Sequence, residues 1–155
     1  MGILQQMKFF RGARFQFSLI LAFLVAAGGC SRGPRLVPVS GQVFYRDKPL
    51  EFGSVMFQPE AGGHPARGTI QPDGTFTLTT YQNKKTKPGA VVGTHLVRIT
   101  CYEGQRAQAA GEVTGEVFLG RLFIPEKYTF FDETELTAEI REGSNEPIIF
   151  HLSDD

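Results

Sequence analysis

The sequence contains no tryptophan, and it has only two cysteines and three histidines among 155 residues. Two cysteines cannot build a structural zinc site without ligands from histidine. His64, His95 and His151 lie far apart in the sequence, and none has a second candidate ligand at a spacing typical of metal sites. We therefore expect neither a metal nor another cofactor. Without tryptophan, phenylalanine, valine, isoleucine and leucine must fill the core.

The chain also lacks a basic cluster of the kind that binds nucleic acid. Its 16 basic and 16 acidic residues balance, but they are unevenly distributed. Residues 1–29 carry three of the basic residues and no acidic residue, so the rest of the chain is net acidic. We therefore expect no nucleic-acid partner. The rest of the chain has the length of a single domain.

The N-terminal apolar run is shorter than the roughly 20 residues that a transmembrane helix needs. It covers residues 15–27, with only Gln16 and Ser18 as polar interruptions. Basic residues precede it, and the small residues Gly28 and Gly29 separate it from Cys30. A basic start, a short apolar run and small residues at its end indicate an export signal. The cysteine makes this the pattern of a bacterial lipoprotein signal peptide.

We predict that residues 1–29 form a signal-peptide helix, that cleavage falls between Gly29 and Cys30, and that Cys30 receives lipid. Residues 30–38 then comprise the lipidated cysteine and a tether. The lipid on Cys30 would hold the exported protein at a membrane of the cell envelope. Ser31 stands where an inner-membrane retention signal has aspartate, so the outer membrane is a plausible destination. The alternative is a plain signal peptide or short membrane anchor, with Cys30 incidental.

Short segments of alternating hydrophobicity, separated by glycine, proline, aspartate and asparagine, fill the rest of the chain. Such segments are typical of strands, and no long helical period accompanies them. Seven strands are predicted, at residues 39–45, 54–58, 67–71, 75–80, 94–102, 136–140 and 147–152. The pattern indicates an all-β domain at residues 39–152, folded as an antiparallel seven-stranded β-sandwich. Residues 153–155 are expected to form a solvated tail.

The segments between these strands are predicted with less regular structure. Residues 82–89 are polar and basic, which indicates a loop. Residues 103–115 are rich in alanine, glycine, glutamine and glutamate, so they form either a mobile loop or a short helix. Residues 120–128 are predicted to be extended.

Four motifs stand out among the first strands: Val39-x-Gly41-x-Val43-x-Tyr45, Lys48-Pro49-Leu50, Val55-x-Phe57-x-Pro59 and Asp73-Gly74-x-Phe76-x-Leu78. They resemble a carboxypeptidase regulatory-like domain, a transthyretin-like (prealbumin-like) sandwich of seven strands. Residues 124–128, residues 136–145 and Phe150-x-Leu152 resemble the small envelope lipoproteins common in planctomycete bacteria. The resemblance covers most of the chain from Val39 to Leu152.

Some positions depart from the family pattern. Val92 and His95 stand where the family has proline and tyrosine, and the acidic, glycine-rich loop of the family is basic here. Residues 103–120 have no clear counterpart. The resemblance implies an envelope lipoprotein without catalytic residues. Transthyretin-related hydrolases share the fold and use histidine, arginine and a C-terminal tetrapeptide containing tyrosine, an ending that Phe150–Asp155 lacks.

Several residues whose side chains could react or bind a metal are expected to be structural instead. Cys101 lies on the apolar face of its strand with His95, and a reactive cysteine needs an accessible, electropositive setting with a base. If Cys30 carries lipid, Cys101 has no disulfide partner. His95 is expected at the rim of the core in place of an aromatic residue, with a ligand role as the alternative. His64 and His151 are expected to face solvent.

Two charged loops are weaker candidates for binding sites. Asp132, Glu133 and Glu135 could supply oxygen ligands to calcium, but the regular spacing and glycine turn of a calcium loop are missing. Lys84, Lys85 and Lys87 could contact anionic lipid or polysaccharide. We expect both groups to be simply solvated.

The segment at residues 124–128 is the most distinctive motif of the domain. In its structural interpretation, Pro125 fixes an extended backbone and Tyr128 packs on the sandwich with its hydroxyl bonded to backbone. The alternative is a binding loop that uses Tyr128 and Lys127.

These features favour a non-catalytic binding or structural module, with an envelope protein or a polysaccharide as its partner. A glycan-binding surface module is one alternative, and Tyr81, Tyr102 and Tyr128 are the tyrosines that could form its aromatic platform. A hydrolase is the less favoured alternative. It would require His95 and Arg98 to converge in one water-filled cleft.

Overall fold

The computed structural model describes residues 35–109, 118–143 and 145–155. The predicted signal peptide of residues 1–29, the cleavage site at Gly29 and the lipidation site Cys30 lie outside these residues. Within them, no helix has the length and apolar character that crossing a membrane requires. The described part is mostly β-structure, and its sheets are arranged like a sandwich.

Twelve short strands occur in the described residues, where seven were predicted. They are β1 (Leu36–Val37), β2 (Ser40–Tyr45), β3 (Lys48–Pro49), β4 (Ser54–Pro59), β5 (Ala66–Thr69), β6 (Thr75–Thr77), β7 (Thr79–Gln82), β8 (Lys85–Pro88), β9 (Ala90–Val91), β10 (Gly93–Thr100), β11 (Thr137–Ile140) and β12 (Ile148–Leu152). The helix α1 covers Glu103–Ala109, and a 3-10 helix covers Glu126–Tyr128.

The larger sheet has six strands in the order β11-β10-β4-β5-β7-β8. A smaller sheet has the order β12-β2-β3, with β6 also paired to β2, and β1 pairs with β9. Every pairing is antiparallel except that of β12 with β2, which is parallel. This pairing departs from the predicted antiparallel arrangement. Because β1 lies at Leu36–Val37, two residues of the predicted tether are part of the fold.

The predicted strand at residues 75–80 is divided between the two sheets. Thr75–Thr77 pairs with β2 in the smaller sheet, whereas Thr79–Gln82 pairs with β5 in the larger sheet. Leu78 lies at the crossing point, where it is 2% exposed and its N–H donates to the carbonyl of Val39. One alternating run in the sequence therefore contributes a strand to each of the two sheets.

The predicted loop at residues 82–89 is a β-hairpin, so this prediction is wrong. Strand β8 pairs with β7 across a turn at Asn83 and Lys84, whose φ angles are 52° and 60°. A two-residue turn with positive φ matches the right-handed twist of the strands it joins. Asparagine tolerates this conformation better than most residues do, and this is the local signal that was missed.

The two helices also refine the sequence predictions. Helix α1 confirms the helical alternative for residues 103–109, whereas residues 110–117 lie outside the described part. Residues 126–128 were predicted to be extended but form a 3-10 turn instead. Both the N–H and the hydroxyl of Thr129 donate to the carbonyl of Glu126, and these bonds close the turn.

The core lies between the two sheets and is rich in phenylalanine. Phe57 is fully buried on β4, and its ring centroid lies 6.0 Å from those of Phe76 and Phe150 in the smaller sheet. Gly41 on β2 permits this close packing, since a Cβ there would collide with the carbonyl of Ile148 and the ring of Phe76. Aromatic contacts thus join the layers, as expected for a core without tryptophan.

Candidate functional site: the outer face of the larger sheet

Four side chains form a row across the solvent-facing side of the larger sheet. Strand register places Arg98 opposite Met56, Met56 opposite Arg67, and Arg67 opposite Thr79. Successive side chains of a strand point to opposite faces, and the neighbours of these residues, such as Val97 and Phe57, are buried in the core. Four strands therefore align this row on the outer face.

A second row on the same face consists of hydroxyl groups. Thr100 lies opposite Ser54, and Ser54 lies opposite Thr69. The hydroxyl oxygens of Ser54 and Thr100 are 2.8 Å apart, and the side-chain amide of Gln105 donates to both of them. Helix α1, which carries Gln105, thereby fixes the position of this end of the face.

Two adjoining troughs run over these rows and share Arg67 and Thr79. The first has a volume of 480 Å³ and extends between Arg98 and the hydroxyl row. The second has a volume of 500 Å³ and is lined by His64, Tyr81 and their neighbours. Tyr81 is 64% exposed. Together the troughs form an elongated surface that runs from Arg98 past Arg67 to the aromatic ring of Tyr81. We call this surface the outer-face trough.

The outer-face trough is a positively charged surface. Arg98 is half-buried, with its guanidinium carbon 5.1 Å from the centre of the Phe131 ring and one N–H donating to the carbonyl of Thr129 at 3.5 Å. Within the described part of the chain, neither Arg98 nor Arg67 forms an ion pair. In the ranges that the structure describes, no acidic residue lines either trough. None of these residues therefore supplies a carboxylate that neutralises the two guanidinium groups.

His95 lies on the opposite face of β10 from Arg98. It was expected at the rim of the core, but it is fully buried, with its ring centroid 6.1 Å from that of Phe57. Its Nδ1 lies 3.0 Å from the carbonyl oxygen of Gly93, and its buried Nε2 has no hydrogen-bond partner among the described residues. The sheet thus separates His95 from Arg98, the two residues that the hydrolase alternative requires to converge in one cleft.

Burial lowers the pKa of His95 below its ordinary value of 6.5, although the contact with the Gly93 carbonyl opposes this shift. The folded protein therefore binds this proton less readily than the unfolded chain does. As the pH falls below about 6.5, the unfolded state takes up the proton first and stability decreases, until the folded state is protonated too. Replacing His95 by phenylalanine should flatten this part of the stability profile, measured by urea unfolding between about pH 4 and pH 7.

The matched control is His64→Gln, which removes an exposed imidazole. It should leave the pH dependence of stability unchanged. If His95→Phe and His64→Gln give the same profile as the wild-type protein, the assignment of this stability change to the buried imidazole is wrong.

Cys101 is fully buried, as predicted, and carries no disulfide. Burial raises the pKa of its thiol to about 12, although Arg106 opposes the shift. The thiolate is the reactive form of cysteine, and it is scarce at neutral pH. Cys101 therefore has the environment of a packed side chain.

Tyr128 packs on the sandwich and bonds to backbone through its hydroxyl, as its structural interpretation predicted. It is 8% exposed, and its hydroxyl oxygen lies 3.2 Å from both the carbonyl oxygen and the N–H nitrogen of Ser153. The Nζ of Lys127 lies 5.1 Å from the centre of the Tyr128 ring. Asp154 is also fixed, because it accepts hydrogen bonds from Tyr45 and Arg46. The exposed tail is therefore attached to the sandwich rather than loose.

The remaining candidates occupy separate places on the surface. His64, His151, the three acidic residues of the 132–135 loop and the three lysines of the β7–β8 hairpin are all exposed, as predicted. Among the described residues, no group of three side chains could hold a metal ion. Of the three tyrosines proposed for an aromatic platform, Tyr102 is half-buried and Tyr128 is buried, whereas Tyr81 is exposed.

No protein-family model, no curated protein and no solved structure matches this chain. The assignment of this face as the candidate site therefore rests on its geometry alone. Sequence reasoning named Tyr81 and Arg98 but missed Arg67 and the hydroxyl row. The available signal was the alternation along β5, where the exposed residues Arg67 and Thr69 alternate with the buried residues Ala66 and Gly68.

Proposed function

We propose that this chain is a lipid-anchored protein of the cell envelope whose β-sandwich binds glycans without catalysing a reaction. Cys30 would carry the lipid, and the outer-face trough would hold the ligand. We also propose that the sandwich is of the transthyretin-like, carboxypeptidase regulatory-like type that its motifs resemble. The order of the signal segment, tether and sandwich along the sequence supports this arrangement.

The observation that carries the proposal is the exposed ring of Tyr81 at the end of a polar trough. An aromatic ring buries a large apolar area on contact with a ligand at little cost in conformational entropy. The apolar face of a sugar ring offers such a contact, while its hydroxyls need hydrogen-bond partners. Thr79, Thr86 and Arg67 line the trough beside Tyr81 and can supply these partners.

The chemistry of the trough favours binding over catalysis. Acid–base or nucleophilic catalysis needs a titratable or activated group within reach of the substrate. Among the described residues, His95 and Cys101 are buried in the core, and His64 is the only histidine that lines the trough, with no carboxylate or cysteine beside it. A lone imidazole without a nucleophile or a carboxylate partner supports a module that holds its ligand unchanged.

A lipid anchor would suit such a module. A single acyl chain binds a membrane only marginally, whereas several chains bind stably, and bacterial lipoproteins carry a multi-acyl anchor. A module held in this way meets envelope polysaccharide at high effective concentration, so even a modest intrinsic affinity would produce steady attachment.

Replacing Tyr81 by alanine should weaken binding to a polysaccharide ligand about tenfold, because the aromatic contact is lost. Tyr81→Phe keeps the ring and should bind nearly as well as the wild-type protein. Affinity electrophoresis of the purified full-length protein in detergent, with polysaccharides embedded in the gel, measures both effects.

The control is Ile149→Ala, which removes a side chain that is 47% exposed on a strand of the other sheet. It should leave the affinity unchanged. If Tyr81→Ala binds as well as Ile149→Ala, the trough is not the glycan site. If no polysaccharide retards the wild-type protein, the glycan-binding function itself is wrong.

A further inference from the structure

The proposed glycan site contains two positive charges, on Arg67 and Arg98, for which the described part of the chain supplies no ion-pair partner. A half-buried charge has lost part of its hydration, and proteins normally compensate this loss with an opposite charge. Arg98 instead has an aromatic ring and a carbonyl oxygen on one side and the trough on the other. An anionic ligand in the trough would supply the negative charge that the Arg98 guanidinium lacks among the described residues.

We propose that the outer-face trough recognises acidic polysaccharides, with Arg67 and Arg98 contacting carboxylate or sulfate groups of the chain. This inference rests on the proposed glycan-binding function and specifies its ligand class. A guanidinium group can hold such an anion through two parallel hydrogen bonds. Only one hydrogen bond of the Arg98 guanidinium, to Thr129, involves the described residues, so further N–H donors are available to the ligand.

The spacing of the two arginines favours a polymer over a single small anion. Met56 separates them in the row, so their backbones lie two strand spacings apart, or about 10 Å. Beyond Arg67 the surface continues to Tyr81. One extended ligand with repeated negative charges can contact both arginines and stack a sugar ring on Tyr81, which a single small ion cannot do.

The shape of the site favours a polysaccharide over an anionic membrane surface. Arg98 is half-buried inside a trough, where the flat surface of a bilayer cannot follow it. Threonine hydroxyls, rather than additional lysines, surround the arginines. The exposed lysines of the β7–β8 hairpin lie on an edge strand outside the first trough.

The test measures binding of the purified full-length protein in detergent to polygalacturonate, dextran sulfate and neutral dextran. A separate arm without detergent compares anionic phosphatidylglycerol vesicles with neutral phosphatidylcholine vesicles, because the lipid on Cys30 would insert into both. We expect binding to at least one acidic polysaccharide, weakened by salt because screening reduces the attraction between charges. Arg67→Gln and Arg98→Gln should each weaken it about tenfold or more. Arg98→Lys should recover only part of the loss, since lysine keeps the charge but not the paired donors.

The charge-matched control is Arg141→Gln, because Arg141 follows β11 and pairs with Glu139 away from the trough. It should bind like the wild-type protein, and all variants should unfold at a similar temperature. Equal losses for Arg141→Gln and Arg67→Gln would overturn the inference, as would an arginine-dependent preference for the anionic vesicles with no binding to any polysaccharide. Binding to neutral dextran that depends on Tyr81 but on neither arginine would also overturn it, while leaving the glycan-binding function intact.

Discussion

Replacing Phe57 by alanine is expected to lower the free energy of unfolding by about 3–5 kcal/mol, as large-to-small substitutions of buried aromatic residues do. Phe57 is fully buried at the centre of the larger sheet. Its ring contacts Phe76 and Phe150 of the smaller sheet and His95 of its own sheet. The substitution would remove packing from both layers at once, and β-sheets on either side cannot collapse easily into the cavity.

Urea unfolding followed by tyrosine fluorescence or circular dichroism measures this change. The matched control is Phe130→Ala, since the Phe130 side chain is 43% exposed. Its effect should stay within about 0.5 kcal/mol, as is usual for surface substitutions. A loss for Phe57→Ala no larger than that for Phe130→Ala would show that the two sheets do not share this aromatic core.

Replacing Cys30 by serine should abolish lipidation, because serine offers no thiol to receive the lipid. After cell fractionation, we expect the wild-type protein in the membrane fraction and the Cys30→Ser variant either released or unprocessed. Mass spectrometry of the wild-type N-terminus should show an acylated Cys30.

The control for this experiment is Cys101→Ala, which removes the other cysteine, a buried residue directly after β10. It should remain attached to the membrane like the wild-type protein. A mature N-terminus that begins at another residue and carries no lipid would contradict the anchoring proposal.

Much of the strand layout could be predicted because alternation is a local signal. The predictions at residues 54–58, 136–140 and 147–152 agree with β4, β11 and β12 within one residue at each end. The break at Leu78 was missed because the alternation continues unchanged through it, although the backbone passes from one sheet to the other. The hairpin at Asn83 and Lys84 was missed because its two basic strand residues resemble a solvated loop.

The individual roles of single residues were predictable where they depend on one strand. Alternation placed Cys101 inside and His151 outside, and both positions agree with the structure. Alternation also placed His95 on the core face, but it was expected at the rim, whereas it is fully buried. The hydrogen bonds of Tyr128 were among the stated alternatives, but their partner Ser153 is distant in sequence and could not be named.

The outer-face trough itself could not be predicted from the sequence. Its row of Arg98, Met56, Arg67 and Thr79 depends on the register between four strands. A shift by one residue would move each side chain to the other face of the sheet. Register is set by contacts distant in sequence, so alternation can place each of the four residues on the outer face without showing that they are neighbours.

Nuclear magnetic resonance mapping of an acidic oligosaccharide titration into the isotope-labelled protein tests the binding face most directly. The account predicts that amide shifts concentrate on the outer-face trough, at residues 54–56, 67–69, 77–81 and 98–100. The strands β2 and β12 of the smaller sheet should show little change. Shifts concentrated on β2 and β12, or no shifts at saturating ligand, would contradict the claim that this face binds glycan.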